Sequence, residues 1–181
     1  MNKLCQFVFN MCKNITNHAA FGECKSTYYI FYFLANNTSA NDVVSSATAA
    51  IAALCGDGVT ENLQVLASCS CLKTYYSILR RNPRNVEIQI NIGKMLVSFT
   101  TGTRKDVFMR NEFLKSRLPE ELQSMLRMSL KTKHQAVAAC LLALTVHFLH
   151  FQTQLREQFE DIDIGFVMLE FSKPEWNEVV R

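Results

Sequence analysis

Residues 60–100, TENLQVLASCSCLKTYYSILRRNPRNVEIQINIGKMLVSFT, contain three successive helical patterns of increasing length. Residues 60–67 predict a short helix that opens on a residue suited to N-capping, and residues 69–81 predict a second helix. Pro83 disfavours helix at the residue before it and can itself begin a new one. The third helix is therefore predicted over residues 85–101, and the unit reads as a short, a medium and a long helix.

The long helix has two distinct faces. Apolar residues recur at spacings of three and four, which is the signature of a helix with one buried side: Ile88, Ile92, Met95, Leu96 and Phe99. A second row at the same spacing is polar or small: Glu87, Asn91, Lys94, Ser98 and Thr101. We expect the first row to face the core and the second to face solvent.

Working outward, the pattern repeats. CLKTYYSILRRN (71–82) and CKSTYYIFYFLANN (24–37) share a Thr-Tyr-Tyr sequence. Polar residues after Gly- or Thr-rich breaks stand at Asn17, Asn62, Asp106 and Gln154, spaced by 45, 44 and 48 residues. A period in the forties indicates a helical solenoid or a propeller, and long apolar segments without internal proline exclude the four short strands of a propeller blade.

Composition agrees with an all-α chain. The 181 residues are 49% hydrophobic, enough for one domain with a continuous core, and include only six Gly and three Pro. An all-β sandwich needs frequent turns built from those residues. The aromatic block YYIFYFL (28–34) has strand propensity, but its place in the repeat predicts a second helix.

The short, medium and long helices, with Asn17, Asn62 and Asp106 opening the short ones, resemble the armadillo repeat along essentially the whole chain. The resemblance implies a right-handed α-solenoid of about four three-helix repeats in a single domain. The approximate units are residues 1–37, 41–81, 85–128 and 130–171, with a further helix starting at 174–181. HEAT repeats share much of the pattern, and a non-repeat helical bundle is a further alternative.

The sequence departs from the nuclear-import adaptors of that family. The Trp and Asn array of their third helices is missing, since Ala52 and Gly56 precede Asn62, and Leu96 and Thr100 precede Asp106. A receptor for nuclear-localisation signals is therefore disfavoured. Neither end has the polar character of a capping repeat, so we expect a segment of a longer array or a domain packed on something else.

Charge and cysteine content limit the partners and the compartment. A formal charge of +3 does not suggest nucleic-acid binding, and no apolar stretch reaches the length of a bilayer span. The seven cysteines are scattered and no secretory signal precedes them, so we expect reduced thiols in the cytoplasm or nucleus.

Catalytic and metal-binding patterns are weak, and we predict no catalytic residue, no metal and no cofactor. The thiols Cys69 and Cys71 lack the second pair that a structural zinc site requires. Cys140 and His147 lie too far apart along a helix for a nucleophile and its base. The arginines of RRNPR (80–84) are expected to offset a helix dipole rather than to contact nucleic acid.

The sequence therefore favours a non-enzymatic module that binds a protein or an extended peptide along a concave groove of stacked long helices. The alternative is a structural scaffold or substrate-adaptor segment of a larger permanent assembly. The groove candidates are Gln6, Asn10, Asn91, Lys94, Ser98, His147 and His150. A strip of small residues on the helix at 43–56 would permit either close approach of a partner or tight packing against a neighbour: Ser45, Ala49, Ala52 and Gly56.

Overall fold

The computed structural model describes residues 2–14, 16–56, 60–103 and 118–132, and four single residues at 111, 115, 142 and 145. Within these residues the structure consists of helices and connecting turns, without a strand. The helices are α1 (Asn2–Met11), α2 (Thr16–Glu23), α3 (Ser26–Asn36), α4 (Asn41–Leu54), α5 (Thr60–Ser68), α6 (Cys71–Arg81), α7 (Val86–Thr103) and α8 (Leu118–Thr132). The predicted all-α class is confirmed for this part of the chain.

Helices α2, α3 and α4 are followed by α5, α6 and α7 in the same order of short, medium and long. The joints between the short and the medium helix are alike, because Lys25 and Ser70 both adopt left-handed φ angles of 54° and 52°. The medium helices also end alike. The side-chain amides of Asn37 and Asn82 each donate to the carbonyl four residues earlier, over 2.8 and 2.9 Å.

The joint between a long helix and the next short helix is repeated as well. The amide of Asn17 donates to the carbonyl oxygen of Met11, the last residue of α1, over 2.8 Å. The amide of Asn62 donates to that of Leu54, the last residue of α4, also over 2.8 Å. Helix ends leave carbonyls without intrahelical partners, so these asparagines supply a donor where the chain turns.

Helix α4 contacts both α1 and α7, so these three helices form a row with α4 in the middle. We call α1, α4 and α7 the long helices, because α1 packs on α4 as α4 packs on α7, although α1 spans only 10 residues. The shorter helices pack onto this row: α2 and α3 contact α4, and α5 and α6 contact α7. The medium helices also approach one another, since the ring of Phe31 meets that of Tyr75 edge to face at 5.8 Å. This arrangement places the core between the row of long helices and the layer of short and medium ones.

The core-facing row of α7 is as predicted. Its five apolar residues are at most 1% exposed: Ile88, Ile92, Met95, Leu96 and Phe99. On the other side of the helix, Glu87 and Lys94 are exposed. The amphipathic pattern therefore identified the correct buried face, and fully burying side chains of this size stabilises by about 1.5–3 kcal/mol each.

The shared Thr-Tyr-Tyr sequences are not structurally equivalent. Aligning α3 with α6 by their joints and caps pairs Ile30 with Tyr75 and Phe31 with Tyr76, all four buried. The sequence match is two residues out of this register. Tyr28, Tyr29 and Tyr32 consequently correspond to Lys73, Thr74 and Ser77, which explains why these tyrosines lie on the surface.

Candidate partner-binding surface

The buried faces of the long helices define which positions are equivalent. When Leu54 is paired with Phe99, every buried residue of α4 aligns with a buried residue of α7. The buried residues of α4 are Val44, Ala47, Thr48, Ala50, Ile51 and Leu54. Their partners on α7 are, in the same order, Gln89, Ile92, Gly93, Met95, Leu96 and Phe99. For α1 the anchor is the asparagine bond, which pairs Met11 with Leu54. Cys5, Val8 and Cys12 then match Thr48, Ile51 and Cys55, and all six are buried.

In this register, four of the predicted groove residues fall at equivalent positions. Gln6 and Asn10 of α1 correspond to Ala49 and Ala53 of α4, which correspond to Lys94 and Ser98 of α7. Gln6, Asn10 and Lys94 are exposed, whereas the two alanines and Ser98 are partly exposed. We call this face of α1, α4 and α7 the long-helix surface. His147 and His150 lie outside the described residues.

The middle of the long-helix surface is formed by small side chains. Ser45, Ala49, Ala52 and Gly56 are each partly exposed. Solvent therefore reaches all four residues of the strip, although Ala52 also packs against the core. Its edge towards α7 is joined by a hydrogen bond of 2.7 Å from the Ser45 hydroxyl to a carboxylate oxygen of Glu87.

Asn91 differs from the prediction. It was expected to face solvent beside Lys94, but it is only partly exposed, and its Nδ2 atom is buried with no hydrogen-bond acceptor among the described residues. Around the axis of α7, Asn91 lies between the exposed residues Glu87 and Lys94 and the buried residue Met95, at the boundary of the two faces. A buried amide without a partner costs about 1–3 kcal/mol, so this side chain is a local weakness in the packing.

Three of the described thiols, Cys5, Cys12 and Cys55, are buried and disfavour the thiolate form. Burial raises the pKa of Cys5 and Cys12, and raises that of Cys55 far above its usual range. A thiol acts as nucleophile or ligand only as the thiolate. No group of three potential metal ligands occurs within the part of the chain that the structure describes, and Cys140 lies outside it.

The arginine cluster at the end of α6 has a local structural contact. Arg80 and Arg81 occupy the last turn of the helix, where positive charge offsets the helix dipole. The guanidinium of Arg81 donates to the hydroxyl of Thr38 over 2.8 Å. Arg81 thus connects α6 to the turn after α3.

Two groups of exposed apolar side chains were not predicted. Leu4, Phe7 and Met11 form an exposed apolar row on α1. On α3, the ring of Tyr28 stacks on that of Tyr32 at 6.3 Å and meets Tyr29 edge to face at 5.4 Å. Sequence periodicity could not find these surfaces, because it marks a residue as apolar without showing whether another element covers it.

No family model, curated protein or solved structure matches this chain. Among the described helices, none combines the length and the apolar character needed to cross a bilayer.

Proposed function

We propose that this chain is part of an armadillo-like α-solenoid that binds an extended segment of a partner protein along the long-helix surface. The function is non-enzymatic and requires no metal or cofactor. The six described cysteines that are free thiols support a reducing compartment, the cytoplasm or nucleus: Cys5, Cys12, Cys24, Cys55, Cys69 and Cys71.

The solenoid interpretation is supported by repetition at single-residue level. Lys25 and Ser70 repeat the left-handed joint, and Asn17 and Asn62 repeat the bond to the preceding long helix. Long helix contacts long helix along the chain, from α1 to α4 to α7. Stacking of equivalent elements between successive units is what defines a repeat architecture.

The binding interpretation depends on one observation: equivalent positions on three neighbouring helices carry polar, small and polar side chains in turn. Ala49 leaves room for a partner's backbone to approach, while Gln6 and Asn10 on one side and Lys94 and Ser98 on the other offer hydrogen-bonding groups. Extended peptides are recognised largely through such bonds to their main chain. The unsatisfied amide of Asn91 adds a donor that a small local movement would make available.

The test begins with peptides selected from a random peptide library on the intact 181-residue chain, whose affinities are then measured by fluorescence anisotropy. Ala49→Arg introduces bulk and charge at the centre of the long-helix surface. Ser77→Arg is the matched control, because Ser77 is also partly exposed but lies on α6. We expect Ala49→Arg to weaken binding at least about tenfold and Ser77→Arg to leave it unchanged. Equal effects of the two variants would refute the proposal.

The second candidate, a scaffold segment of a permanent assembly, is favoured by the exposed apolar row on α1. Leu4, Phe7 and Met11 are 49%, 54% and 40% exposed, and contiguous apolar surface of this kind promotes association. Light scattering on the purified chain distinguishes the two: a monodisperse monomer supports reversible binding, whereas concentration-dependent aggregation relieved by Phe7→Ser supports permanent assembly.

A further inference from the structure

The exposed apolar row of α1 has buried counterparts elsewhere in the molecule. Leu4, Phe7 and Met11 correspond to Ala47, Ala50 and Leu54 of α4 and to Ile92, Met95 and Phe99 of α7. All six counterparts are at most 1% exposed. The same helix face is therefore covered in α4 and α7 and uncovered in α1.

Helices of this chain contact both α4 and α7. Those that precede and contact α4 are α1, α2 and α3, and those that precede and contact α7 are α4, α5 and α6. The α1 row consists of large side chains, as the α7 row does, whereas that of α4 contains two alanines. One internal example of an amphipathic helix in contact with a row of this kind is α6 beside α7. The buried residues of α6 include Leu72, Tyr75, Tyr76, Ile78 and Leu79.

Charge further restricts the occupant. Residues 2–13 contain two lysines, Lys3 and Lys13, and no acidic residue. Both lysines are exposed, and the ammonium of Lys13 lies 5.5 Å from the centre of the Phe9 ring. Complementary charge steers association and fixes register at an interface, so a partner with acidic residues beside its apolar stripe fits this face better than a basic one.

We propose that Leu4, Phe7 and Met11 form a docking site for an amphipathic helix of a partner protein, with an apolar stripe like that of α6 and acidic residues beside it. The helix would cover the row on α1, as the equivalent rows on α4 and α7 are already covered within the molecule. This proposal concerns a different face from the long-helix surface and does not depend on peptide binding there.

The test uses two synthetic peptides of residues 70–82, both with Cys71→Ser to prevent oxidation. One keeps the native charges, and the other carries Lys73→Glu, Arg80→Glu and Arg81→Glu, positions that are all exposed on α6. Binding of each fluorescently labelled peptide to the full chain is measured by anisotropy. We expect the acidic peptide to bind about tenfold more tightly than the native one at low salt, and the difference to shrink as salt is added.

Variants of the full chain identify the site. Phe7→Glu should abolish binding of the acidic peptide, whereas Tyr32→Glu, which changes an equally exposed aromatic residue on α3, should leave it intact. Ala49→Arg should also leave it intact. Absence of binding by both peptides, or binding that survives Phe7→Glu, would overturn the proposal. A dimer that Phe7→Glu dissociates would overturn it too, because the occupant would then be a second copy of the chain.

Discussion

The amide of Asn62 joins three parts of the molecule: it donates to the carbonyl oxygen of Leu54 at the end of α4 over 2.8 Å, and its Oδ1 accepts from the hydroxyl of Thr27 in α3 over 2.8 Å. Asn62 is fully buried. A buried polar side chain is tolerated only when its hydrogen bonds are made. These two bonds therefore fix the position of α5 against α3 and α4.

Asn62→Ala should destabilise the chain by about 2–4 kcal/mol, because it leaves a buried hydroxyl and a buried carbonyl without their partner. Asn17 makes the equivalent bond to Met11 in an exposed setting, so Asn17→Ala should cost no more than about 1 kcal/mol. Urea unfolding followed by circular dichroism measures both. Equal losses would show that burial does not control the strength of this joint.

Ile92→Asp should prevent folding, since Ile92 is fully buried and the substitution would place an unpaired charge in the core. Lys94→Asp, two residues away on the exposed side of α7, should change the free energy of unfolding by less than about 0.5 kcal/mol. Thermal unfolding of both variants provides the comparison. A well-folded Ile92→Asp protein would contradict the assignment of the buried face.

Asn91→Leu should stabilise the chain by about 1 kcal/mol, because it replaces an amide nitrogen that is buried without an acceptor by an apolar group of similar size. If the Asn91 amide donates a hydrogen bond to the partner, the same variant should bind the selected peptides more weakly. A gain in stability together with a loss of affinity would identify Asn91 as a binding residue. A loss of stability would show that the amide has a structural partner.

Alkylation of the native protein should label Cys24 first, since it is exposed, and Cys69 more slowly. Cys55 and Cys71 are buried, and burial raises the pKa of Cys55, so Cys55 should react only after unfolding. Iodoacetamide treatment followed by peptide mass spectrometry assigns each site. Labelling of Cys55 at the rate of Cys24 would be inconsistent with the packing of α4.

The free energy of unfolding should decrease at alkaline pH. Burial raises the pKa of Cys55 above its usual value of 9.0 and that of Tyr75 well above 10.0. The unfolded chain therefore loses these protons first, so the stabilisation is fully present below about pH 9 and is lost as the pH rises. Urea titrations at about pH 8 and pH 10 measure the change, and Cys55→Ala should reduce its slope. A flat profile would contradict the burial of both groups.

Periodicity alone gave the helices and the buried side of α7, because a helix that packs by one face must repeat its apolar residues every three or four positions. The same periodicity predicted the order and approximate length of the helices. It did not predict which residues of α3 and α6 are equivalent. Thr27–Tyr29 and Thr74–Tyr76 match in sequence, yet the joints at Lys25 and Ser70 place the helices two residues away from that match.

The sequence by itself predicted that the described residues form helices, and it determined which positions are polar on α1, α4 and α7. Only the tertiary structure decided which of those positions are equivalent, that the amide of Asn91 is buried, and that Leu4, Phe7 and Met11 are uncovered. The reason is physical: local sequence sets the direction in which each side chain leaves its helix, whereas its burial depends on whether a distant segment packs against that face.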